Sequence, residues 1–251
     1  MFFAPLRRSM TGLTARQTQV LKCLIDEYVE TANPTGSDML EKKHSLGVSS
    51  ATIRNEMVAL TKLGYLKQPH TSAGRVPTPR AMKFYIDQLM EEKHMSLADE
   101  VKAKEEVWDA RGNINSLFSE AVQALAQRTG NLAVAVINED EKMWHSGYSN
   151  VFTNPEFADL ALCADLFSLI EESTKMHELF FERIHSTPDV QVVFFEELGW
   201  PTMEPVGVVG TQMNIRGKNA ALGVISPVRL SPTIIPIIRY FSDMIQEVAR
   251  G

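Results

Sequence analysis

The chain has 251 residues, of which 44% are hydrophobic and 22% charged. These values are typical of globular proteins and exclude a disordered or collagen-like chain. No stretch approaches the roughly 18 apolar residues that span a bilayer, and residues 1–10 (MFFAPLRRSM) reverse the charge order of a secretory leader. We therefore expect a cytoplasmic protein with no membrane partner, in which Cys23 and Cys163 are buried free thiols.

Charge is unevenly distributed along the chain, whose net charge is -6. Residues 1–90 contain 12 Lys and Arg against seven Asp and Glu, whereas the remainder contains 13 against 24. A locally basic surface attracts phosphate even when the whole protein is acidic. The first 90 residues are therefore where we expect a nucleic-acid contact.

Three short helices are predicted before residue 64. Thr14 and Gln17 form the T-x-x-Q capping box that opens the first helix, and Ser37 is expected to cap the second. The third follows Val48-Ser49-Ser50 and is capped by one of the two serines. It carries apolar residues at helical spacing and ends before Gly64, a residue that favours helix C-termini.

A hairpin is predicted next, because residues 65–68 and 75–77 flank the polar loop HTSAG (70–74). A fourth helix then begins at Thr78-Pro79. Three helices followed by a hairpin with a polar tip are the pattern of a winged helix-turn-helix, in which the third helix lies in the DNA major groove. We assign residues 1–90 to such a DNA-binding domain.

The residues expected to contact DNA lie on the third helix and on the hairpin. Arg pairs with guanine and Asn with adenine, whereas hydroxyl groups bind bases or phosphates, and a small polar tip can approach the backbone or the minor groove. Taken singly, each residue could equally be an ordinary solvated side chain. The candidates are Ser49, Ser50, Thr52, Arg54, Asn55, His70, Thr71, Ser72 and Arg75, with Arg75 expected to meet phosphate.

Residues 91–112 are predicted to form a charged helical connector, and residues 113–251 an α+β domain. An amphipathic helix covers residues 114–125 and leads into a buried strand at 132–137. Strands are further predicted at 143–152, 190–195, 206–215 and 221–225, and helices at 155–172, 176–184 and 231–248.

No catalytic site, metal site or cofactor is expected. The six histidines show no metal-ligand spacing with cysteines or carboxylates, and neither a nucleophile elbow nor a phosphate-binding glycine loop is present. The glycines at 207, 210, 217 and 223 indicate bulges or tight bends in strands. An enzyme with an accessory DNA-binding domain stays an alternative that only the α+β second half supports.

Several long motifs resemble the HrcA-type family of heat-inducible transcription repressors. The similarity is strong in the first 90 residues and moderate later, so it covers most of the chain. The motifs are LTARQTQVLKCLIDEYVETANPTGS (13–37), LGVSSATIRNEMVALTKLGYLKQPHTSAGRVPT (46–78) and FYIDQL (84–89), with further similarity at 117–137, 150–160 and 208–245.

The resemblance implies a GAF-like second domain and repression of heat-shock chaperone operons. It also implies a dimer on an inverted-repeat operator in double-stranded DNA, release on heat stress, and the GroEL chaperonin as modulator. Such proteins carry an inserted dimerisation domain, but only NEDEKMWHSGYS separates strand 132–137 from Asn150. The resemblance is thus to a member that lacks the insert.

We nevertheless predict a homodimer, since an inverted repeat needs two recognition helices related by a two-fold axis. The expected surfaces are the connector 91–111 and the final helix, through Ile234, Ile237, Ile238 and Phe241. The alternative for these isoleucines is that they form the core of their own domain. The alternative interpretation of the whole chain is a one-component regulator whose second domain binds a small ligand.

Overall fold

The computed structural model describes residues 12–139, 142–184 and 189–250, except for the side chain of Pro201. The chain divides into two compact units between Met90 and Glu91. We call them the N-terminal unit and the C-terminal unit. Each combines helices with antiparallel strands, so the predicted α+β class is confirmed.

Within residues 12–90, four helices pack around one apolar core. The fully buried core side chains include Leu21, Leu24, Ile25, Leu40, Ile53 and Leu60. A short antiparallel pair of strands follows the third helix. The elements are α1 (Ala15–Thr31), α2 (Ser37–Lys43), α3 (Ser50–Lys62), β1 (Leu66–Lys67), β2 (Val76–Pro77) and α4 (Pro79–Gln88).

Side chains cap these helices mostly as predicted. The capping box forms, with Gln17 N–H donating to Thr14 Oγ1 at 3.2 Å and Thr14 N–H to Gln17 Oε1 at 3.0 Å. The prediction that Ser37 caps α2 is wrong. Gly36 already has the extended backbone of a cap, so α2 begins one residue earlier than expected and Ser37 is its first, buried residue.

One buried carboxylate joins α1 to the end of α2. Glu27 is only 4% exposed, and it accepts hydrogen bonds from Lys43 Nζ at 2.7 Å and His44 Nε2 at 3.1 Å. The hydrogen bond from Lys43 is the main reason that the pKa of Glu27 lies below its ordinary value; burial opposes this effect and His44 adds to it. Glu27 is therefore held as a carboxylate that fixes the two helices together.

The C-terminal unit is built on an antiparallel sheet, which has five strands within residues 91–250, in the order β4-β3-β7-β6-β5. The central strands are almost wholly buried, as expected for a sheet covered on both faces. The strands are β3 (Leu132–Ile137), β4 (Lys142–Ser146), β5 (Gln191–Phe194), β6 (Val206–Ile215) and β7 (Lys218–Pro227).

Helices cover both faces of this sheet. One face packs against α6 and α10, and the other carries an apolar cluster that joins Val134 and Val208 to Leu166 and Phe180. The helices are α5 (Leu97–Trp108), α6 (Ile114–Thr129), α7 (Tyr148–Val151), α8 (Leu160–Glu171), α9 (Ser173–Glu178) and α10 (Ile234–Arg250), with a π-helical turn at Leu179–Arg183.

The segment interpreted as a connector contributes α5, which packs against α6 and α10. Glu106 pairs with Arg128 of α6 at 2.8 Å, and Lys104 with Glu247 of α10 at 2.8 Å. Tyr240 in α10 also donates from its hydroxyl to the carbonyl of Glu100 at 2.6 Å. By its contacts this helix belongs to the C-terminal unit.

The strand predicted at 143–152 is half wrong, because β4 ends at Ser146. Gly147 then takes a left-handed conformation with φ +95°, which ends the strand and begins α7. Asn150 fixes this turn by donating from Nδ2 to the carbonyls of Ala126 and Asn131 at 3.1 and 3.0 Å. The predicted strand thus included a glycine turn and the short helix that follows it.

The prediction that α10 offers a dimer surface is also wrong. Ile234, Ile237, Ile238 and Phe241 are all buried within the C-terminal unit, where they form part of its core. The alternative for the isoleucines, that they form the core of their own domain, is the one that the structure shows.

Two smaller expectations concern the thiols and the membrane. Both cysteines are free; Cys163 is buried as predicted, whereas Cys23 is only half-buried. Burial raises the pKa of the Cys163 thiol. In the ranges given above, the structure contains no helix both long and apolar enough to cross a bilayer.

Candidate nucleic-acid interface

The start of α3 is organised by Ser49, which is the serine that caps it. Its Oγ accepts from Thr52 N–H at 3.4 Å and lies 3.2 Å from Thr52 Oγ1. The next residue, Ser50, is the first of the helix and is half-buried. The hydroxyls of Ser49 and Thr52 are therefore held next to the free backbone N–H groups of the first turn, which attract anions.

One face of α3 is buried and the opposite face is solvent-exposed. Ile53, Met57 and Leu60 are the buried side chains. Arg54 and Asn55 are exposed, and neither makes a hydrogen bond or ion pair with any residue that the structure describes. A rigid helix thus presents a guanidinium and an amide side by side with no partner inside the chain.

The net charge of this helix is positive at its surface. Lys62 is exposed on the last turn and adds a second cation to Arg54. The only acidic residue of α3 is Glu56, whose carboxylate lies 3.9 Å from Arg16 of α1. The field around the exposed face therefore favours an anionic ligand.

The hairpin loop is held in place by Gln68. Its Nε2 donates to the carbonyls of Thr71 and Ala73, both at 2.9 Å, and Ala73 N–H donates to the carbonyl of His70 at 2.9 Å. The carbonyls of the loop thus turn inwards. The side chains of His70, Thr71 and Ser72 are exposed at its tip and make no hydrogen bond to other described residues.

Sequence reasoning missed a third backbone segment at the base of this hairpin. Thr35, which precedes α2, pairs with Arg75 through two backbone hydrogen bonds of 2.9 Å. Gly74 permits this approach, because a methyl group there would overlap the backbone of Thr35. A glycine beside a strand is the signal that could have indicated so close a contact.

Arg75 lies at the base of the hairpin and not at its tip. Its Nε donates to Thr61 Oγ1 in the last turn of α3 at 3.2 Å, and the side chain is half-buried. The structure therefore divides the candidates into three places: residues 49–55 on the first half of α3, residues 70–72 at the tip, and Arg75 between the hairpin and the end of α3.

An aromatic side chain covers part of one face of the sheet in the C-terminal unit. The ring of Phe180 lies over the paired glycines Gly210 and Gly223, so closely that a methyl group on Gly223 would be 3.0 Å from Phe180 Cε1. A surface cleft of about 320 Å³ lies elsewhere, beside Trp200 and the Glu172–Lys175 ion pair. Among the described side chains no cluster of three potential metal ligands occurs.

The fold and this surface define a two-unit α+β protein. Its N-terminal unit presents a basic and polar face of α3, on which Arg54 and Asn55 have no partner among the described residues. The family model described as "HrcA protein C terminal domain" matches residues 79–231, which is more than half of the chain. The chain belongs to the HrcA family, and the family prediction made from its motifs is confirmed.

Curated relatives match about half of the chain. A "Heat-inducible transcription repressor HrcA" of Acetivibrio thermocellus is 43% identical over 115 residues, which are 46% of this chain and 31% of that protein. The protein of the same description from Chloroflexus aurantiacus is 39% identical over 135 residues, 53% of this chain and 36% of its own. The match thus spans about a third of the length of these relatives.

One solved structure has a similar fold. It is described as a hypothetical protein at 2.2 Å resolution and is 16% identical to this chain. The match covers 96% of this chain and 99% of that one, with a TM-score of 0.74. At this identity the similarity concerns the fold alone.

Proposed function

We propose that the chain is a DNA-binding transcriptional repressor of heat-shock chaperone operons. Its N-terminal unit acts as a winged helix-turn-helix, in which α3 is the recognition helix and residues 68–75 are the wing. The C-terminal unit is a GAF-like effector domain. Family membership and the description of the relatives as heat-inducible transcription repressors support this role.

The observation that carries the proposal is the free pair Arg54 and Asn55. Both residues are exposed and follow the Ser49 cap by about one helical turn. A helix lying in the major groove presents side chains at this position to base edges. Arg bonds bidentately to guanine and Asn to adenine. Because neither side chain has a partner to lose within the described chain, DNA binding breaks no internal bond.

Phosphate contacts would position this helix without adding sequence information. The Ser49 and Thr52 hydroxyls lie at the helix N-terminus, where backbone N–H groups bind phosphate. His70, Thr71 and Ser72 extend the contact to the neighbouring backbone or minor groove. Arg75 keeps its terminal nitrogens for phosphate while Thr61 fixes its Nε.

The repressor acts as a homodimer on an inverted repeat, because two recognition helices must meet half-sites about one helical turn apart. Heat stress releases it by melting the C-terminal unit, and a chaperonin of the GroEL type restores it. Operator binding measured against temperature, with and without chaperonin, tests this part. If operator binding persists well above growth temperature and does not change with chaperonin, this part of the proposal is wrong.

The ligand-sensing alternative has less support. Phe180 occupies the sheet face above Gly210 and Gly223, and the charged side chains Glu172 and Lys175 of the surface cleft pair with each other. The enzyme alternative gains nothing from this cleft, since an ion pair at its edge is no acid–base pair aimed at a common substrate atom.

The test begins with selection of DNA from a random pool by the parent protein, followed by titrations at several salt concentrations. Arg54→Ala should weaken binding to the selected DNA by about 1–3 kcal/mol and affect scrambled DNA much less. Arg54→Lys keeps the charge but loses the bidentate geometry, so it should behave almost like Arg54→Ala. Arg75→Ala should weaken both DNAs and lower the salt slope by about one. If all three variants bind like the parent, α3 and the wing are not the DNA-reading surface.

A further inference from the structure

Among the residues that the structure describes, no strand covers one edge of the sheet in the C-terminal unit. β4 is the outermost strand and pairs with β3 alone. At the other edge, the N–H of Phe194 in β5 donates to Glu197 Oε2 at 3.4 Å, so a side chain protects that strand. Natural sheets usually cover or protect an edge, because free backbone groups pair readily with another strand.

The register of the sheet shows which backbone groups of β4 face outwards. Asn138 N–H donates to Asn219 O, in line with the β3–β7 register. Alternation along β3 therefore turns residues 133, 135 and 137 towards β4. Their partners in β4 are Ser146, Trp144 and Lys142. The N–H and C=O groups of Met143 and His145 consequently point away from the sheet.

These outward groups have no partner in the part of the chain that the structure describes. No backbone or side-chain hydrogen bond reaches residues 142–146 from any described segment other than β3. Two N–H donors and two C=O acceptors thus lie in a row at the spacing of a β-ladder. Only another extended strand can satisfy them in regular order.

An apolar patch continues from this edge on one side of the sheet. The His145 ring contacts Tyr148, with ring centroids 5.1 Å apart, and Tyr148 contacts Phe167 at 5.6 Å. Phe152 lies 5.9 Å from Phe167 and is 61% exposed. Leu160, two turns before Phe167 on α8, is 78% exposed. Contiguous exposed side chains of this kind mark an interaction site.

We propose that a second copy of this chain binds here, by antiparallel pairing of β4 with β4 about a two-fold axis perpendicular to the sheet. Centred on Trp144, this pairing places Met143 opposite His145 of the second copy, so all outward groups of both residues are bonded. The same axis keeps both patches on one side of the joined sheet, where each lies beside the paired strands at the end of its own β4.

Charge does not oppose this self-association. Lys142 is the one formally charged residue of β4, and antiparallel pairing places it opposite Ser146, so like charges do not meet across the strands. This surface takes the place of the dimer surface predicted on α10, whose apolar residues are buried in their own unit. The inference rests on the proposed function only in its purpose, which is to hold two recognition helices together.

The first test uses sedimentation equilibrium of the full chain without DNA. The parent should be a dimer at micromolar concentration. His145→Pro removes one outward N–H from each copy and leaves the inward bonds to β3 intact, so the dimer dissociation constant should rise by about tenfold or more. His145→Thr keeps the N–H and should dimerise like the parent. A monomeric parent, or a proline variant that dimerises normally, overturns the proposal.

The second test addresses the patch. Phe152→Glu places a carboxylate in the patch of each copy, beside the paired strands, and should also weaken the dimer, whereas Phe152→Leu should not. Phe152 is exposed, so circular dichroism should show unchanged folding. A short duplex with one selected half-site then separates the two proposals, because monomeric variants should bind it like the parent. If the parent selects no DNA, the proposed function is overturned and the proposed interface is not. If Phe152→Glu dimerises like the parent, the proposed interface is overturned and the proposed function is not.

Discussion

Arg54 of the N-terminal unit contrasts with two arginines of the C-terminal unit. In the C-terminal unit, Arg128 and Arg239 are tied to Glu106 and Glu92, each at 2.8 Å. In the N-terminal unit, Arg54 is exposed on a rigid helix without a partner among described residues. A tied arginine serves the fold, whereas one left free on a fixed backbone is available for a ligand.

The units also differ in what their buried interior contains. The core of the C-terminal unit is built from apolar side chains packed over a sheet with two facing glycines. The N-terminal unit buries the carboxylate of Glu27 and the backbone pair between Thr35 and Arg75. We therefore expect the stability of the C-terminal unit to depend most on the volume of its buried side chains. The stability of the N-terminal unit should also depend on the charge of its buried carboxylate.

The largest effect should follow Gly223→Ala in the C-terminal unit. The added methyl would overlap the carbonyl of Val209 and lie 3.0 Å from Phe180 Cε1. Overpacking of this kind lowers the free energy of unfolding by about 1–3 kcal/mol, and the backbone overlap places this variant at the upper end. Denaturant unfolding measures it. Gly112→Ala, where no atom lies within 4 Å of the new methyl, is the control; equal stability of the two would refute the packing explanation.

A smaller effect is expected from Glu27→Gln in the N-terminal unit. Loss of charge-assisted hydrogen bonds should lower the free energy of unfolding by about 1–2 kcal/mol at neutral pH. The effect is moderate because Lys43 is itself half-exposed. Because folding lowers the pKa of Glu27, this contribution is present above its unfolded value of about 4.3 and is lost as pH falls through the folded one.

The pH dependence provides the check for Glu27. The difference between parent and variant should shrink towards zero below about pH 4, since glutamine does not titrate. Glu30→Gln, an exposed position on the same helix, should lower the free energy of unfolding much less than Glu27→Gln. A difference that stays constant into acid would mean that the amide is disfavoured for its shape and not for its charge.

The sequence alone predicted features that depend on residues close together in the chain. The Thr14–Gln17 box, the Ser49 cap and the apolar face of α3 follow from spacing along one helix, and all are present. The Thr35–Arg75 pairing and the Glu27 network join residues distant in sequence, which no local periodicity encodes. For α10 the spacing indicated an apolar face correctly, but it could not show which surface covers that face.

The smallest effect should come from the wing. Gln68→Ala removes the two hydrogen bonds that turn the carbonyls of Thr71 and Ala73 inwards, and the loop is exposed, so the free energy of unfolding should change by less than about 0.5 kcal/mol. DNA would then have to order the loop on binding, which weakens affinity by about 1 kcal/mol. Because the wing meets phosphate, selected and scrambled DNA should lose affinity alike, unlike the Arg54 variants. Gln246→Ala removes a glutamine bonded only within α10 and should leave DNA binding unchanged. Loss confined to the selected DNA would instead place the wing on base edges.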